Sequence, residues 1–325
     1  MEANLLRSSS WAGSLARVTF RRYVGVVLSK MTAVPTKVAL HARNVAFEWT
    51  GLPLAWIPGE VFSSHLINVL HLLLPEGERW FVKVFSEALP LIEDEQLRED
   101  VIGFIGQEGV HAASHQGVLD YFDEHGLDTR EYVAQVAALF QRILGDRGLE
   151  GKAKEEWLVM RVSVVAAIEH LTAVLGNWVL NSPALDAAGA DETMLDLLRW
   201  HGAEEVEHRA VAYDVFCHLD GRYSRRILAY GVGGPALIWL WIQGVRYLME
   251  HDTVNGPAKP RVRDWLRASA KGMVPGPRLL ATSSLKYFSP LYHPAKEGDT
   301  SQAVAYLAKS PAARRADALA GTDVS

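Results

Sequence analysis

The chain has 325 residues, 49% hydrophobic and 22% charged, which is the composition of a packed globule and excludes disorder over most of its length. Thirty-three cations against 38 carboxylates give a formal net charge of -5, without the basic excess a phosphate backbone demands, so no nucleic-acid partner is expected. A single cysteine, Cys217, excludes an internal disulfide framework and any thiolate-rich metal site, leaving carboxylates and imidazoles as the only metal donors and fitting a cytoplasmic location.

In chain order, residues 1–34 read as a basic amphipathic arm, with Arg7, Arg17, Arg21 and Arg22 set among Ser8, Ser9, Ser10 and apolar residues. The apolar run is too broken for a secretory signal; a transit peptide is the alternative to a loosely docked arm. From there on apolar residues recur at three and four positions with no alternating run, so an all-α fold is expected. The spacing predicts helices over Phe62 to Leu74, Glu78 to Leu89, Asp94 to Gly117, Thr129 to Leu144, Lys152 to Asn181, Asp191 to His218, Arg225 to Met249 and Val262 to Met273. Pro75 to Gly77, Pro90, Gly126 with Asp128, Asn181 to Pro183 and Asn255 to Pro260 punctuate them. No linker divides residues 35–300, which are expected to form one helical domain with a metal-binding core over 61–220 and appended helices over 222–275. Residues 301–325 are expected as a surface tail, fraying after Ser310.

The stretch Ile227 to Val245 holds nineteen residues without a charge and contains Trp239 and Trp241. That is near the length of a bilayer span, but Gly231, Gly233, Gly234 and Pro235 interrupt it. A buried or dimer-forming helix, a wall of an apolar channel and a peripheral membrane contact share this composition, so membrane association and a homodimer both stay open.

The chemistry is carried by acidic and imidazole groups where helix cores should be apolar. Gln107-Glu108-Gly109-Val110-His111 and Glu204-Glu205-Val206-Glu207-His208 each contain Glu-x-x-His. Residues three apart share a helix face, so Glu108 with His111, and Glu205 with His208, can each aim one carboxylate oxygen and one ring nitrogen at a common point. One such motif arises by chance on a solvated helix. Two of them, each with a glutamate on the preceding helix, match a four-helix dinuclear site.

Glu169, in Val164-Val165-Ala166-Ala167-Ile168-Glu169, is one partner, because a carboxylate in that setting is costly unless protonated, paired or bound to metal. It lies about twelve residues before its helix ends and Glu205 about fourteen after the next begins; at ~1.5 Å per residue the two share a level in an antiparallel pair. The same reckoning selects Glu78 against Glu108, whereas Glu87 misses the level by roughly 14 Å. The expected ligands are therefore Glu78, Glu108, His111, Glu169, Glu205 and His208. His115 and His201, one turn away, are each either a third imidazole or a group that orients a ligand. His170 points about 100° from Glu169 and is expected in packing or in support of a ligand. Glu204 and Glu207 read as solvated or ion-paired, with Glu204 replacing Glu205 if the helix phase shifts by one. Tyr213 and Asp214 read as a core pair or, less simply, a relay. His65, His71 and His293 have no spacing partner and are taken as structural.

The series Pro75-Glu76-Gly77-Glu78, Gln107-Glu108-x-x-His111-x-x-x-His115, Glu169-His170-x-Thr172-Ala173 and Trp200-His201-x-x-Glu204-Glu205-x-Glu207-His208 resembles the ferritin-like family labelled predicted metal-dependent hydrolases. The resemblance spans about Val61 to Asp220 and weakens toward Tyr292-His293-Pro294. It implies a ferritin-like four-helix core with additional N- and C-terminal helices, holding a di-iron centre bridged by Glu108 and Glu205. The oxygen and nitrogen donor set suits iron, with manganese as an alternative, over structural zinc. Relatives with such centres imply dioxygen-dependent hydroxylation or oxidation of a small hydrophobic substrate. Glu108 and Glu205 are then the catalytic pair, and a ferredoxin or reductase is the electron donor, because no glycine-rich nucleotide motif is present. The alternative is a metal-dependent hydrolase that activates water at the same site; an iron-oxidising or iron-storing protein and a helical interaction protein retaining the motif are remoter.

Overall fold

A computed structural model describes residues 38–322; the arm over 1–34 lies outside them. Contacts divide the chain after Val38, and every described helix belongs to the unit beginning at Ala39. Among the described residues there is helix and no strand, an all-α fold.

Two helical hairpins build the middle of the molecule. The first pairs α1 (Val61–Ala88) with α2 (Glu95–Glu124), and α3 (Arg130–Arg142) packs against α1. The second pairs α4 (Gly151–Leu180) with α6 (Glu192–His208), linked through the short α5 (Pro183–Ala187). Asp94 and Asp191 start α2 and α6 as side-chain caps, accepting from the backbone N–H of Leu97 (2.8 Å) and Met194 (2.9 Å), a device worth about 1 kcal/mol each. Trp56, Leu72, Phe85, Phe104 and Trp200 are fully buried in the core.

The two helices of the second hairpin approach through backbone. A Cβ on Gly176 of α4 would lie 2.6 Å from the carbonyl oxygen of Gly202 on α6, so only glycine permits this crossing. It sets the levels of Glu169 and Thr172 against Glu205 and His208. Likewise a Cβ on Gly103 would lie 2.6 Å from the carbonyl oxygen of Leu40, which lets the extended segment before α1 lie on α2 and carry Arg43 inward.

The structure corrects three sequence expectations. The predicted break at Pro75 to Gly77 does not occur: α1 runs through Pro75. A proline there forfeits one backbone hydrogen bond, but Leu72 and Leu73 before it and Trp80, Phe81, Val84 and Phe85 after it are all buried, and their packing outweighs a penalty of about 3 kcal/mol. The predicted helix Asp191 to His218 is two, α6 and α7 (Val211–Leu219), separated by a turn at Arg209 and Ala210, where the Arg209 guanidinium bonds the carbonyls of Pro294 and Ala295. The C-terminal stretch does not fray after Ser310: α11 (Thr300–Leu307) and α12 (Pro311–Thr322) dock on α6. Asp196 of α6 accepts from Tyr306 Oη, Ser310 Oγ and the backbone N–H of Ala312, and Ala312 and Ala313 are fully buried.

Between α7 and α11 lie α8 (Tyr223–His251), α9 (Val262–Ala270) and α10 (Pro277–Tyr287), with α8 resting on α1 and α4. By length and composition α4 and α8 could each cross a membrane, but α4 is a core helix whereas only 22% of the apolar window of α8 is buried.

Candidate metal centre

Glu78 projects from α1, Glu108 and His111 from α2, Glu169 from α4, and His201, Glu205 and His208 from α6; all seven are buried. Their donor atoms gather in two adjoining groups, Glu78/His111/His201 and Glu108/Glu169/Glu205/His208, each with its atoms within 4.8 Å of one another. Glu205 spans the two: Oε1 is 2.8 Å from His201 Nε2 and Oε2 is 3.5 Å from His208 Nε2. Glu108 Oε1 likewise lies 3.2 Å from His208 Nε2 and 3.8 Å from His111 Nδ1. His208 Nε2 also stands 3.2 Å from Glu169 Oε2, yet it is aligned for a hydrogen bond with none of these carboxylates.

Both carboxylate oxygens of Glu78, Glu108 and Glu169, together with His111 Nδ1 and His208 Nε2, are buried without a hydrogen-bond partner. Such atoms would each cost kilocalories if left bare. In the metal-free chain burial, then the neighbouring Glu205 and Glu169 charges, hold the Glu78 carboxyl well above its ordinary range; burial, with Glu169 and Glu205, does the same to Glu108. Burial and Glu205 push Glu169 up to about 7. Burial opposes a charge on His208, but Glu205 and Glu169 outweigh it and raise the imidazole well above its usual value, so an imidazolium stands where a cation is wanted. Four carboxylates and three imidazoles would be balanced by two divalent ions, and the donor set fits them.

Groups behind the donors fix which ring nitrogen faces inward. His111 Nε2 lies 2.8 Å from Glu204 Oε2, and a carboxylate can only accept, so Nδ1 carries the free lone pair toward Glu108 and Glu205. Burial works against a charge on Glu204, but His111 and Arg43 outweigh it and keep the carboxyl below its usual range. The Gln107 amide donates to Glu207 Oε2 at 3.3 Å, which turns its Oε1 toward His208 Nδ1 at 3.1 Å; His208 therefore donates there and presents Nε2 to the centre. Arg43 ties the two supports together, donating to Glu204 Oε1 at 2.6 Å and to Glu207 Oε2 at 3.0 Å.

On the third side three imidazoles form a chain. His201 Nδ1 is 2.6 Å from His115 Nε2, and His115 Nδ1 is 2.7 Å from His71 Nδ1. Burial and the neighbouring His201 push His71 down to about 3, and burial with His201 and His71 holds His115 well below its usual value, so both rings are neutral. With His201 Nδ1 as acceptor or donor the protons along the chain simply reverse, so the chain holds the His201 ring in either state. Thr172 Oγ1 donates to Glu205 Oε2 at 2.5 Å.

Of the further residues singled out in the sequence, His201 sits in the first donor group and His115 stands behind it. His170 lies apart, hydrogen-bonded to Tyr292 Oη at 2.6 Å and to the carbonyl of Ser283 at 3.1 Å. Asp214 accepts from His293 Nε2 at 3.0 Å, and Tyr213 donates to the carbonyl of Tyr292, so neither joins the gathered donors and His293 has a partner after all. Glu87 pairs with Arg161 at 2.6 Å, and His65 with Asp252 at 2.7 Å. The purely structural reading of His71 is corrected: it ends the imidazole chain. Its signal was available, because position 71 is two helical turns before Glu78 on one face. Gln107 stood inside the motif without a role, and Arg43, more than 150 residues from Glu204, left no local signal at all.

One flank of the centre opens. A cavity of about 870 Å³ has Thr172, His201 and Glu205 at its floor and apolar walls that include Leu70, Leu171, Leu175, Trp178, Leu237 and Trp241. Residues 41–298 match the family described as predicted metal-dependent hydrolase. No curated protein and no solved structure matches the chain.

Proposed function

The chain belongs to the family of predicted metal-dependent hydrolases, and from that premise we propose that the centre binds two divalent metal ions, iron by preference, and oxidises a hydrophobic organic substrate with dioxygen. The observation that carries this reading is the join between a buried Glu/His donor set supplied by four helices and a cavity whose walls are almost wholly apolar. The donor pattern is that of ferritin-like carboxylate proteins, with one Glu from each of two helices and Glu-x-x-His from each of the other two; here His201 adds a third imidazole.

In this reading Glu78, His111 and His201 would hold one ion and Glu169 and His208 the other, with Glu108 and Glu205 available to either. When bound, the ions supply Lewis acidity and, as iron, the electrons and dioxygen affinity that side chains lack. The balance is one oxygen atom entering a C–H bond and the other leaving as water, with two electrons from a separate ferredoxin or reductase and two protons from solvent. The protein's part is placement. The apolar wall orients the substrate by shape and excludes water, Thr172 fixes one Glu205 oxygen, and the His201–His115–His71 chain holds the third imidazole. A lipid-like, terpenoid or aromatic substrate suits such a wall better than a sugar or nucleotide.

The family description favours a second reading, hydrolysis by a metal-activated water. It needs the same ligands but neither dioxygen nor a redox-active ion. Elemental analysis of protein purified without added metal, followed by the visible spectrum of the ferrous-loaded protein before and after air, separates the two. About two irons per chain and an oxygen-dependent ferric absorption, lost in Glu108→Ala, is the expected result. Ester or amide cleavage under anaerobic conditions with zinc or manganese, and no response to oxygen, would replace the oxidation by the hydrolysis.

A further inference from the structure

The cavity mouth is apolar where it meets water. Ile238 and Ile242, one turn apart on α8, are 61% and 48% exposed, and Val262 at the start of α9 is 72% exposed; all three line the opening. Leu266, one turn beyond Val262, is 48% exposed. Isolated exposed apolar residues need no account, but a set clustered around the mouth of an apolar cavity does.

Two exposed cations, Arg246 and Arg261, share that lining, and no carboxylate does except Glu205 at its floor. The charge is regional. From Lys259 to Lys286 the chain carries Lys259, Arg261, Arg263, Arg267, Lys271, Arg278 and Lys286 against the single carboxylate Asp264, although the whole protein is at -5; Lys271 and Lys286 pair with Glu60 and Glu297, which leaves the arginines and Lys259 as the excess. Short α9 condenses the pattern, with Val262 and Leu266 outward and Arg263 and Arg267 each next in sequence.

We propose that this rim docks on the surface of an anionic lipid bilayer. Ile238, Ile242, Val262 and Leu266 enter the boundary between headgroups and acyl chains, and Arg246, Arg261, Arg263 and Arg267 pair with lipid phosphates. The geometry is peripheral: α8 is fastened along its inner side, with Trp241 Nε1 donating to the Leu66 carbonyl at 2.8 Å and Arg226 buried against Tyr213 and Ser289. Only its outer face is free, so it lies on the membrane and does not cross it. That the mouth thereby draws its substrate from the acyl phase rests on the function proposed above; the docking itself does not.

Flotation of the full-length metal-loaded protein with vesicles tests this. Binding is expected to phosphatidylcholine vesicles containing phosphatidylglycerol, much less to pure phosphatidylcholine, and to weaken by at least about tenfold in ~0.5 M salt. Arg263→Glu with Arg267→Glu is expected to cost about 30-fold or more in binding to the anionic vesicles, and Leu266→Asp about tenfold. Circular dichroism should show both variants as helical as the parent, since all three side chains are on the surface. Glu108→Ala should float normally while losing its metal, which separates a failure of docking from a failure of the metal reading. Absence of flotation, flotation that both variants leave unchanged, resistance to carbonate extraction, or a solution dimer that the same variants dissolve would each overturn the proposal.

Discussion

The two flanks of the centre are built on opposite principles. Toward Arg43 every group behind the donors is charged or amide, buried and committed: Arg43 to Glu204 and Glu207, Glu204 to His111, Gln107 to His208. Toward α8 there is a cavity of about 870 Å³ with Thr172 as the nearest polar support and leucine and tryptophan beyond it. A ring nitrogen held by a charged partner has one useful tautomer and one direction, which is what a donor needs. A wall of apolar side chains specifies little beyond shape, which is what a passage for a hydrophobic molecule needs. The contrast teaches that one flank holds the donors through buried charge while the other leaves an apolar cavity beside them, and it can be attacked from either side.

The most severe break removes a donor common to both groups. Glu205→Ala is expected to lower metal affinity by more than the 10- to 100-fold typical of a supporting residue, leaving well under one ion per chain by elemental analysis. A variant that retains both ions would show that the two groups bind independently and that Glu205 does not span them. Next is the charged flank itself. Arg43→Met leaves Glu204 and Glu207 buried without their cation, a change that costs about 3–5 kcal/mol and should appear as a lowered urea midpoint. If His111 takes its direction from that network, metal affinity falls as well, by about 10- to 100-fold, and Glu204→Gln added to Arg43→Met should restore part of the stability. An unaltered midpoint would mean that buried charge does not hold that flank.

The two flanks also differ in how far they could be read from sequence. The donors were legible because an α-helix converts a spacing of three into a shared face, and because matched distances from the capped helix starts at Asp94 and Asp191 put Glu108 and Glu205 opposite Glu78 and Glu169. Pro75 misled only on continuity. Burial on both sides of a proline is a tertiary fact, so the helix ran on while the level of Glu78 stayed as reckoned. The support from Arg43 was illegible because it comes from an extended segment that α2 accepts only through Gly103, with no period to betray it. The docked C-terminus was illegible for a related reason: its anchor, Asp196, lies over 110 residues upstream on α6 and looks in sequence like any surface aspartate. Long-range ion pairs and caps leave no local trace, whereas the mouth of the cavity was foreshadowed by the uncharged run from Ile227 to Val245.

Acidity separates the metal-free from the metal-loaded protein. In the metal-free fold the Glu169 carboxyl is pushed up to about 7 and those of Glu78 and Glu108 well above their ordinary range, so near neutral pH the fold holds carboxyl protons that an unfolded chain has already released, and the raised His208 adds to them. The native state then binds more protons than the unfolded one, so stability falls as pH rises, by up to about 1.4 kcal/mol per pH unit for each extra proton held. Thermal melts of the metal-free protein from pH 6.5 to 8.5 should therefore drop, while the loaded protein, in which ions replace those protons, stays level. Below pH 6 the sign reverses for His71, His111 and His115, all depressed by burial and nearby histidines, and the metal-free protein should weaken again as these rings are forced to charge. Melts that rise steadily from pH 6.5 to 8.5 would contradict the crowding of the four carboxylates.

The smallest effect probes the seam between the flanks. Thr172 lines the cavity yet donates to Glu205 Oε2, so it is the one polar support that the apolar side supplies. In Thr172→Val the hydroxyl is lost with almost no change of shape, and Glu205 keeps its contact with His201 at the other oxygen. A hydrogen bond to a charged group is worth about 1.5–3 kcal/mol, and the lower end applies here because the orphaned oxygen can turn to a bound ion. The loaded protein should then melt only slightly lower than the parent while the metal-free protein shows the full loss. An equal loss in both forms would mean that Thr172 acts on packing alone and that the apolar flank has no hold on the centre.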